Sequence, residues 1–289
     1  MRIEDTLEGL RAALSSAGSV GFVPTMGNLH EGHLSLVREA RRLAGPAGPV
    51  VASIFVNRLQ FGPNEDFDKY PRTFERDAAL LRETGCDLLF APDESVMYPE
   101  PQAFHVVPDP SLASMLEGAV RPGHFDGVCT VVMKLFAMVQ PELAVFGRKD
   151  YQQLMLIRRM AQQFALPVRV VAHDTVRESD GLALSSRNGY LSATERAEAP
   201  NLNRVLRRVV DAVRSARAAG SITHEAIALA ETAAADELAA RGWKPDYITV
   251  RRQRDLHTPA TAELAGAEPL VVLGAARLGT PRLLDNIEI

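Results

Sequence analysis

The chain has little cysteine: only Cys86 and Cys129 occur among its 289 residues. Two thiols so far apart along the chain make neither a disulfide framework nor the paired spacing of a zinc knuckle. The commoner role of such cysteines is that of small buried hydrophobic residues. This scarcity is typical of a reducing compartment, and we expect a cytoplasmic protein.

Long hydrophobic runs and an excess of one charge are also missing. No apolar stretch approaches the roughly 18 residues that a membrane-spanning helix needs. The acidic start of the chain, residues 1–5, does not resemble a signal peptide. The net charge is −4, whereas nucleic-acid-binding proteins usually carry a basic excess. The composition therefore predicts a globular protein that binds neither a membrane nor a nucleic acid.

Three common nucleotide and hydrolase signatures are absent as well. The chain contains no G-x-x-x-x-G-K-[ST], no G-x-G-x-x-G and no G-x-S-x-G. Their absence argues against a P-loop kinase, a dinucleotide enzyme of the usual type and a hydrolase with a nucleophile elbow. A phosphate site in this chain must therefore use other residues.

What the sequence does contain is an alternation of apolar strands and amphipathic helices. Such an alternation is typical of a parallel sheet that is covered on both faces. The pattern predicts strands at 20–23, 50–56, 88–91, 143–146 and 168–172, and helices at 3–14, 34–43, 73–85, 112–119, 128–139 and 151–164. The fold class is therefore α/β, with a Rossmann-like doubly wound parallel sheet over residues 1–176.

A different pattern follows residue 176. The run Ser192-Ala193-Thr194-Glu195 matches a capping box, and it predicts one long helix that ends near Gly220. A second helix is predicted at 224–241, and strands are predicted at 247–251, 270–276 and 283–289. We interpret residues 177–289 as a smaller α+β C-terminal domain that acts as a lid.

The segment Pro24–His33, P-T-M-G-N-L-H-E-G-H, joins the first predicted buried strand to a helix. A helix start at such a turn presents unpaired backbone N–H groups and the positive end of its dipole to an anion. His30 and His33 are three residues apart and can face the same way. The pattern suits a polyphosphate across the helix start. It is also compatible with a metal pair, although no third ligand lies nearby, and with histidines that only stabilise the fold.

Further polar clusters follow other predicted strands. The run 57–62 follows the second main strand, and the run 147–150 follows the fourth, with Gln153 in the next helical turn. The run 184–188 lies where the second domain begins. Because open parallel sheets bind ligands beyond the carboxyl ends of their strands, we expect these clusters and the histidine turn to converge on one cleft.

Each cluster also has a simpler interpretation. Lys149 and Asp150 could form an ordinary exposed ion pair, and Gln60 and Gln153 could be surface amides. The run Ser185-Ser186-Arg187 could be a plain loop. In a cleft, the lysine and the two hydroxyls beside a guanidinium would suit phosphate. The amides would suit a small polar substrate.

Taken together, the motifs resemble one family. They are P-T-M-G-N-L-H-E-G-H-L, S-I-F-V-N-x-L-Q-F-G, Y-P-R-T, R-P-G-H-F-D-G-V, G-x-K-D-Y-Q-Q-L, L-S-S-R-N and the terminal R-L-L-D-N. In this order they are similar to the motifs of the pantothenate synthetases (pantoate–β-alanine ligases). These enzymes belong to the nucleotidyltransferase superfamily, whose ATP site carries an H-x-G-H-type signature.

The resemblance implies an ATP-dependent ligase that works in two steps. The carboxylate of (R)-pantoate attacks the α-phosphorus of Mg-ATP, which gives pantoyl adenylate and diphosphate. The amine of β-alanine then displaces AMP, which gives pantothenate. ATP is thus a co-substrate and Mg²⁺ a cofactor, with no protein ligand assigned to the metal. The family resemblance also implies a homodimer.

The resemblance assigns residues of this chain to the reaction. The predicted catalytic residues are His33 as proton donor, His30, Lys149, Ser185, Ser186 and Arg187. The predicted ATP-binding residues are Met26, Gly27, Asn28, Leu29, His30, Glu31, Gly32, His33, Gly147, Arg148, Lys149, Asp150, Val176, Leu184, Ser185, Ser186 and Arg187. The predicted pantoate- and β-alanine-binding residues are Gln60, Gln153, His124, Val131 and Val132.

Two positions near these residues depart from the family pattern. Arg58 stands where proline is usual, and we expect it to loosen the turn that aims Gln60. Arg148 stands where glutamate is usual, and it adds positive charge beside the phosphates. Three alternatives are a transferase of the same superfamily that makes a dinucleotide or an activated alcohol, a class I aminoacyl-tRNA synthetase, and a nucleotide sensor without catalytic activity. A sensor should show degraded motifs, whereas all six predicted catalytic residues are present here.

Overall fold

The structure, a computed structural model, describes residues 1–63, 65 and 67–289. The chain divides into two units. The first comprises Met1–Arg148 and Gln152–Asp174, and the second comprises Lys149–Tyr151 and Thr175–Ile289. The assignment of residues 177–289 as a lid to a domain of residues 1–176 stays a prediction.

In the first unit, six described strands form one sheet. They are β1 (Arg2–Glu4), β2 (Gly21–Thr25), β3 (Val50–Ile54), β4 (Leu88–Phe90), β5 (Leu143–Gly147) and β6 (Arg169–His173). Their order is β1-β4-β3-β2-β5-β6, and every neighbouring pair is parallel. The predicted doubly wound α/β fold is thereby confirmed.

Helices cover both faces of this sheet. They are α1 (Leu7–Leu14), α2 (Glu31–Ala44), α3 (Phe74–Glu83), α4 (Glu94–Met97), α5 (Pro110–Ala113), α6 (Glu117–Val120), α7 (His124–Val139) and α8 (Tyr151–Gln163). Phe22 and Val23 are adjacent in β2, so their side chains point to opposite faces. Val23 packs in one cluster with Val37 and Ala40 of α2, and the ring of Phe22 meets Phe136 of α7 edge-on at 6.5 Å. Both faces are therefore buried at the centre of the sheet, which explains why the inner strands β2 to β5 are almost wholly apolar, whereas the edge strands β1 and β6 carry charged residues.

Three predicted helices of the first unit differ in the structure. Residues 3–14 do not form one helix, because Arg2–Glu4 pairs with β4 as an edge strand and α1 begins only at Leu7. The predicted helix 112–119 is two short helices, since Leu116 between them has φ 50. Helix α7 begins at His124 rather than Val128, directly after Gly123, which has φ 78.

The second unit contains, among its described residues, a three-stranded antiparallel sheet and four helices. The sheet has the order β7 (Lys244–Arg252), β8 (Leu270–Arg277), β9 (Arg282–Glu288). The helices are α9 (Ala193–Glu198), α10 (Asn201–Ala218), α11 (His224–Ala240) and α12 (Thr261–Leu264). A Cβ at Gly274 would lie 2.9 Å from Leu206 Cδ2, so glycine lets α10 pack closely on β8. No helix in the described ranges is long and apolar enough to span a bilayer.

The capping box at Ser192 is present, but the long helix predicted after it is wrong. Ser192 Oγ accepts from Glu195 N at 3.3 Å, and the Glu195 carboxylate accepts from Ser192 N at 2.8 Å. Helix α9 nevertheless ends at Glu198, and α10 begins at Asn201. Pro200 accounts for the break, because it has no N–H to donate and its ring clashes with the preceding turn.

Candidate active site

Three segments of the first unit that carry predicted site residues leave the sheet at one edge. Strands β2, β3 and β5 are parallel neighbours, so their carboxyl ends lie on the same side. The turn before α2 follows β2, Asn57–Gln60 follows β3, and Arg148 follows Gly147, the last residue of β5. Strand β2 lies where the strand order changes direction, which is where open α/β sheets form their ligand crevice. Lys149 and the run 184–187 belong to the second unit.

His30 and His33 together cap the start of α2. His30 is the N-cap residue, and its Nδ1 accepts from Gly32 N at 3.2 Å. The Nδ1 of His33 accepts from His30 N at 3.4 Å. This is a capping box in which two imidazoles replace the usual hydroxyl and carboxylate. The ring centroids are 4.1 Å apart, so both side chains lie at the helix start.

The capping bonds decide which ring nitrogen carries the hydrogen when these imidazoles are neutral. Because Nδ1 accepts in both rings, the hydrogen is assigned to Nε2. Each ring can then donate from Nε2 while its Nδ1 remains bonded to the backbone. Two such donors beside the N–H groups and positive dipole end of a helix suit a phosphate.

A buried carboxylate on α3 holds the turn that leads to the histidines. Asp77 is 1% exposed, and its two oxygens accept from Asn28 N at 2.7 Å and from Leu29 N at 2.9 Å. Thr73, the N-cap residue of α3, makes no side-chain cap bond, and its hydroxyl instead donates to Asp77 at 3.0 Å. Sequence reasoning missed Asp77, because an acidic residue in the first turn of a helix is ordinarily explained by the helix dipole alone.

The backbone of this turn needs that support. Gly27 and Asn28 have φ values of 81 and 51, both in the left-handed region. A Cβ on Gly27 would lie 3.1 Å from Ile54 Cγ2 and 3.2 Å from Asp77 Oδ2, so only glycine fits without a shift. Leu29 is buried after this bend, whereas Glu31 is exposed and pairs with Arg38 at the surface.

Gln60 lies in a short 3₁₀ turn between the ends of two strands. Its Oε1 accepts from Asn57 Nδ2 at 3.1 Å, and its Nε2 is 3.1 Å from Met26 Sδ. The amide therefore links the segment after β3 to the segment after β2. Thioether sulfur is a weak acceptor, so a ligand carboxylate or hydroxyl in its place would make a stronger hydrogen bond.

The same turn is intact with arginine at position 58. The guanidinium of Arg58 lies over the ring of Phe67 at 4.0 Å and 3.6 Å from Glu94. Gln60 N still donates to Asn57 O at 3.3 Å. Hydrogen bonds from Asn57 thus orient Gln60 with arginine at position 58, and the expected loosening of the turn stays a prediction.

Helix α7 packs directly against the Gln60 turn because it carries a glycine there. A Cβ on Gly127 would lie 2.2 Å from Leu59 O and 2.6 Å from Gln60 N. Asn57 Nδ2 donates to Gly127 O at 3.1 Å, which fixes the helix and the turn to each other. Val131 lies one turn further along this face of α7, and both it and Val132 are buried.

His124, the first residue of α7, is a neutral imidazole that supports Gln60. Burial, assisted by the charge of Arg121, lowers the pKa of His124 to about 4. Its Nδ1 lies 2.9 Å from Gln60 O, and its Nε2 lies 2.9 Å from Arg121 Nη1. Since a carbonyl only accepts and a guanidinium only donates, Nδ1 carries the hydrogen.

The guanidinium next to His124 is held in turn by a carboxylate. Glu65 accepts from Arg121 at 2.6 and 2.7 Å. Burial alone would raise the pKa of Glu65, but the hydrogen bonds and charge of Arg121 outweigh it, so the pKa is lowered. A chain of contacts thus runs from Glu65 through Arg121 and His124 to the backbone of Gln60.

The two adjacent glutamines of α8 have different surroundings. Gln152 is buried, and its amide bonds the backbone of Leu112, Met115 and Glu117 at 2.7 to 3.0 Å. Gln153 is half-buried, and its side chain has no hydrogen bond to any described residue. Gln152 therefore stabilises the 112–117 segment, and the role of Gln153 in substrate binding stays a prediction.

Gly147 is the last residue of β5, and Arg148 follows it directly. The guanidinium of Arg148 lies 3.5 Å from Asp174 Oδ1. This carboxylate offsets part of the positive charge that arginine adds at this position. In the second unit, Lys149 Nζ lies 3.6 Å from Asp150 Oδ1, and the lysine side chain is only 18% exposed.

The remaining predicted ATP residues of the second unit form one local structure. Residues 176–184 make a hairpin in which Leu184 N donates to Val176 O at 3.0 Å. Ser185 follows directly, and its Oγ accepts from Arg187 N at 3.3 Å at the start of the 3₁₀ helix Ser186–Tyr190. The hairpin therefore determines where the Ser185–Arg187 loop begins.

The described residues offer no assembled metal site. No three His, Cys, Asp or Glu side chains among them are grouped as they would be around a metal ion. Within the described part of the chain, His30 and His33 thus have no third protein ligand near them.

A doubly wound sheet with an imidazole-capped helix start at its crevice defines an α/β nucleotide-binding protein of the H-x-G-H type. The family model described as "Pantoate-beta-alanine ligase" matches residues 2–288. The chain therefore belongs to the pantoate–β-alanine ligase family, and it is an enzyme of the ligase class.

Individual relatives agree with this assignment. A pantothenate synthetase of Leptothrix cholodnii is 61% identical over 292 aligned positions that cover 100% of both chains. The crystal structure of pantothenate synthetase from Thermus thermophilus is 48% identical, has a TM-score of 0.88 and covers 99% of both chains. A pantoate-beta-alanine ligase structure from Francisella tularensis, complexed with beta-gamma ATP and beta-alanine, is 32% identical with a TM-score of 0.80, and the match covers 99% of this chain and 97% of that one.

Proposed function

We propose that this protein condenses (R)-pantoate with β-alanine at the expense of ATP and gives pantothenate, AMP and diphosphate through a pantoyl-adenylate intermediate. The observation that carries the proposal is the imidazole-capped start of α2 at the crevice of the sheet, in a chain of this family. The ATP and β-alanine in the related Francisella structure support the choice of substrates.

In the proposed first step, a pantoate carboxylate oxygen attacks the α-phosphorus of ATP. The bond from that phosphorus to the bridging oxygen breaks, and diphosphate leaves. The segment Met26–His33 binds the phosphates, with Nε2–H of His30 and His33 as donors. His33 is the proposed proton donor to the leaving diphosphate: it acts as the imidazolium, which gives up its Nε2 hydrogen and keeps a hydrogen on Nδ1, so Nδ1 does not accept from His30 N during this step. Negative charge grows on the departing oxygens, so fixed donors there stabilise the transition state more than the ground state.

The proposed charge on the phosphates is neutralised by a second set of residues. It consists of Gly147, Arg148, Lys149, Asp150, Val176, Leu184, Ser185, Ser186 and Arg187. Lys149 acts as a point charge, and Arg187 with the two serine hydroxyls acts as a fork of donors. The Lys149 side chain is mostly buried, which is consistent with a fixed position for its ammonium group.

The Mg²⁺ that accompanies ATP is also part of the proposal. When bound, the ion supplies charge neutralisation to the phosphate oxygens. Because the described residues contain no preassembled carboxylate or histidine cluster, the ligands we propose are the phosphates of ATP and water, the common arrangement for magnesium. The chain's own residues then bind and orient the nucleotide.

The proposed pantoate site lies around the Gln60 turn. The side chains of Gln60 and Gln153 bond the hydroxyls and carboxylate of pantoate, while His124, Val131 and Val132 line its apolar part. Gln60 also contacts β-alanine. In the second step the β-alanine amine attacks the acyl carbon, the carbon–oxygen bond to AMP breaks, and the nitrogen loses its proton. The buried, neutral His124 keeps the backbone of Gln60 in place without adding charge.

A homodimer in the cytoplasm completes the proposal. Residues 99–109 form neither helix nor strand, yet they expose Phe104 to 89% and Val107 to 67%. Large apolar side chains exposed this close together are typical of surfaces that bind another chain. Light scattering on the purified protein tests the dimer, and Phe104→Glu should shift it toward monomer.

The experiment that tests the function is ATP–diphosphate exchange with pantoate present and β-alanine absent. We expect exchange that depends on pantoate, because adenylation is reversible before the amine enters. AMP formation only when both substrates are present, without such exchange, would exclude the adenylate intermediate. Absence of any ATP turnover would favour a nucleotide-binding protein without catalytic activity.

A further inference from the structure

The proposed reaction leaves the terminal R-L-L-D-N motif, residues 282–286, without a function. These residues lie in β9, an edge strand that pairs antiparallel with β8. Asp285 is 4% exposed and Asn286 is 6% exposed. Burial of two polar side chains carries a desolvation cost unless their hydrogen bonds are satisfied. Their partners therefore show what the motif does.

Asp285 accepts a bidentate ion pair from Arg177. The distances are 2.7 Å from Nη1 to Oδ2 and 2.8 Å from Nη2 to Oδ1. Asn203 Nδ2 donates to the same carboxylate at 2.9 Å, and Asn286 N donates at 2.7 Å. Four donors on one buried carboxylate leave it a single orientation.

Arg177, held by Asp285, in turn bonds the backbone of the hairpin of residues 176–184. Its Nη1 donates to Gly181 O at 3.1 Å, across the turn of the hairpin, and its Nη2 donates to Asn286 O at 3.2 Å. Arg177 and Ala183 also form an isolated antiparallel bridge. The arginine is thus fixed at both ends of its side chain, and the Ser185–Arg187 loop begins two residues after that bridge.

Asn286 makes the equivalent connection to a second segment. Its Nδ2 donates to Lys149 O at 2.9 Å. Two residues further along β9, Glu288 Oε1 accepts from Tyr151 OH at 3.0 Å. The backbone that carries Lys149 is therefore tied to the same strand as the Arg177 hairpin.

We propose that Asp285 and Asn286 are positioning residues for nucleotide binding: through Arg177 and through the carbonyl of Lys149, one dipeptide of β9 sets the mutual placement of Lys149 and the Ser185–Arg187 loop. The inference deepens the proposed function and rests on it for the assignment of those two segments to ATP. Neither Asp285 nor Asn286 touches substrate in this scheme.

Fold stability alone is a weaker explanation of this network. The α+β unit already has an apolar core that includes Leu206, Leu238, Trp243 and Val272. A buried ion pair contributes little net stability compared with apolar side chains of similar volume. Its directional hydrogen bonds do supply a fixed geometry, and precise geometry is what a phosphate site requires.

The test compares Asp285→Asn with a matched control in the same sheet. Asp246→Asn removes the carboxylate that pairs with Arg282, in an ion pair between β7 and β9. Three quantities are measured well below each unfolding midpoint: the Kd of a non-hydrolysable ATP analogue, the KM for ATP in pantoate-dependent exchange, and the KM for β-alanine. We expect Asp285→Asn to raise the first two roughly tenfold with little change in the third, and Asp246→Asn to leave all three within about twofold.

Two further variants keep the test decisive if Asp285→Asn folds poorly. Asn286→Ala, which removes the bond to Lys149 O, should weaken the analogue by several-fold. Arg177→Gln combined with Asp285→Asn should weaken it by less than the product of the two single effects, because both variants remove the same ion pair. Equal analogue Kd values in Asp285→Asn, Asn286→Ala and the control would overturn the proposal. Absence of exchange in the unsubstituted protein, with the analogue still weakened in Asp285→Asn, would refute the proposed reaction and leave the positioning intact.

Discussion

The two units hold their predicted phosphate-binding segments by different means. In the first unit, Asp77 accepts from the backbone N–H groups of Asn28 and Leu29. In the second unit, Asp285 accepts from the guanidinium of Arg177, and that guanidinium then bonds backbone carbonyls. Both carboxylates are buried and distant in sequence from what they hold.

The difference teaches what each kind of anchor can do. A carboxylate on adjacent N–H groups fixes φ and ψ directly, and it can stabilise the left-handed residues of the histidine turn. An arginine side chain is longer, and Arg177 joins the hairpin of residues 176–184, which lies outside the sheet, to strand β9. The backbone anchor therefore determines the shape of a turn, whereas the side-chain anchor determines where a loop lies.

The largest expected effect on the reaction rate comes from removing His33, which follows the turn held by Asp77. His33→Ala should slow pantoate-dependent ATP–diphosphate exchange by about 1,000-fold, since a positioned proton donor contributes roughly 10²–10⁴-fold. The loss of its capping bond should cost only about 1 kcal/mol of unfolding free energy. Exchange kinetics and urea unfolding measure the two effects separately.

Ser35→Ala is the control for His33→Ala. Ser35 lies in the same helical turn, and its hydroxyl donates to Gly32 O at 2.8 Å, but it has no proposed contact with ATP. Its exchange rate should stay near that of the unsubstituted protein. The loss of exchange rate in His33→Ala can be converted to a free energy and compared with the loss of unfolding free energy. If the first is no larger than the second, the proton-donor assignment is wrong.

A second prediction concerns pH. It tests whether Gln60, in the first unit, is held by a neutral imidazole, that of His124, rather than by an ion pair of the kind found in the second unit. The pKa of His124 is lowered to about 4, while an unfolded histidine titrates near 6.5. Between these values the unfolded chain binds a proton that the native state does not. The contribution of His124 to stability is therefore complete above about pH 6.5 and is lost progressively as the pH falls toward 4.

The expected loss is at most about 3 kcal/mol over that interval, at about 1.36 kcal/mol per unit of pKa difference. Arg121, Glu65 and Glu117 all act on the ring, so the measurement must isolate the imidazole. Urea unfolding at pH 7, 6 and 5 is compared between the unsubstituted protein and His124→Gln. Parallel pH curves for the two proteins would show that His124 is not held neutral.

The third prediction tests the backbone anchor itself. Asp77→Asn puts an amide N–H against one of the two backbone N–H groups and leaves that group unsatisfied. The free energy of unfolding should fall by about 2 kcal/mol, and a non-hydrolysable ATP analogue should bind roughly tenfold more weakly because the turn loses its shape. Unfolding by urea and direct titration of the analogue measure these changes.

Asp87→Asn provides the comparison for Asp77→Asn. Asp87 also accepts from a backbone N–H, that of Val50 at 2.7 Å, but it precedes β4 and so lies at the opposite edge of the sheet. The Asp87→Asn variant should lower the free energy of unfolding by less than Asp77→Asn does, and it should leave the Kd of the ATP analogue unchanged. If both variants bind the analogue equally well, Asp77 does not shape the nucleotide site.

The features that sequence reasoning predicted correctly are those encoded locally. The apolar runs that became β2, β3 and β5 are continuous in sequence, and the capping box at Ser192 lies within four residues. The closeness of His30 and His33 follows from helical spacing alone. Periodicity and short motifs therefore specified the sheet, the edge at which the polar segments leave it and the imidazole pair.

The features that were missed depend on contacts between distant segments. Edge strand β1 exists because Arg2–Glu4 pairs with Leu88–Phe90, and a three-residue strand has no periodicity of its own. Asp77 and Asp285 are recognisable as anchors only once folding brings them to their partners. Pro200 is the exception, since its effect on the helix after Ser192 is local and was readable from the sequence.

The smallest expected effect comes from Arg58→Pro, which restores the residue usual in the family. Arg58 is the first residue of the 3₁₀ turn, a position where proline is tolerated because no intrahelical N–H bond is lost. Its exposed guanidinium contacts Phe67 and Glu94, so its removal should change the free energy of unfolding by about 0.5 kcal/mol or less.

The KM for pantoate in Arg58→Pro should stay within about twofold, because Gln60 is oriented by Asn57, Met26 and His124 rather than by residue 58. A severalfold lower KM in the proline variant would show instead that Arg58 strains the turn. A third means of positioning would then stand beside the carboxylates of Asp77 and Asp285: a single rigid residue in the backbone that orients a neighbouring binding side chain.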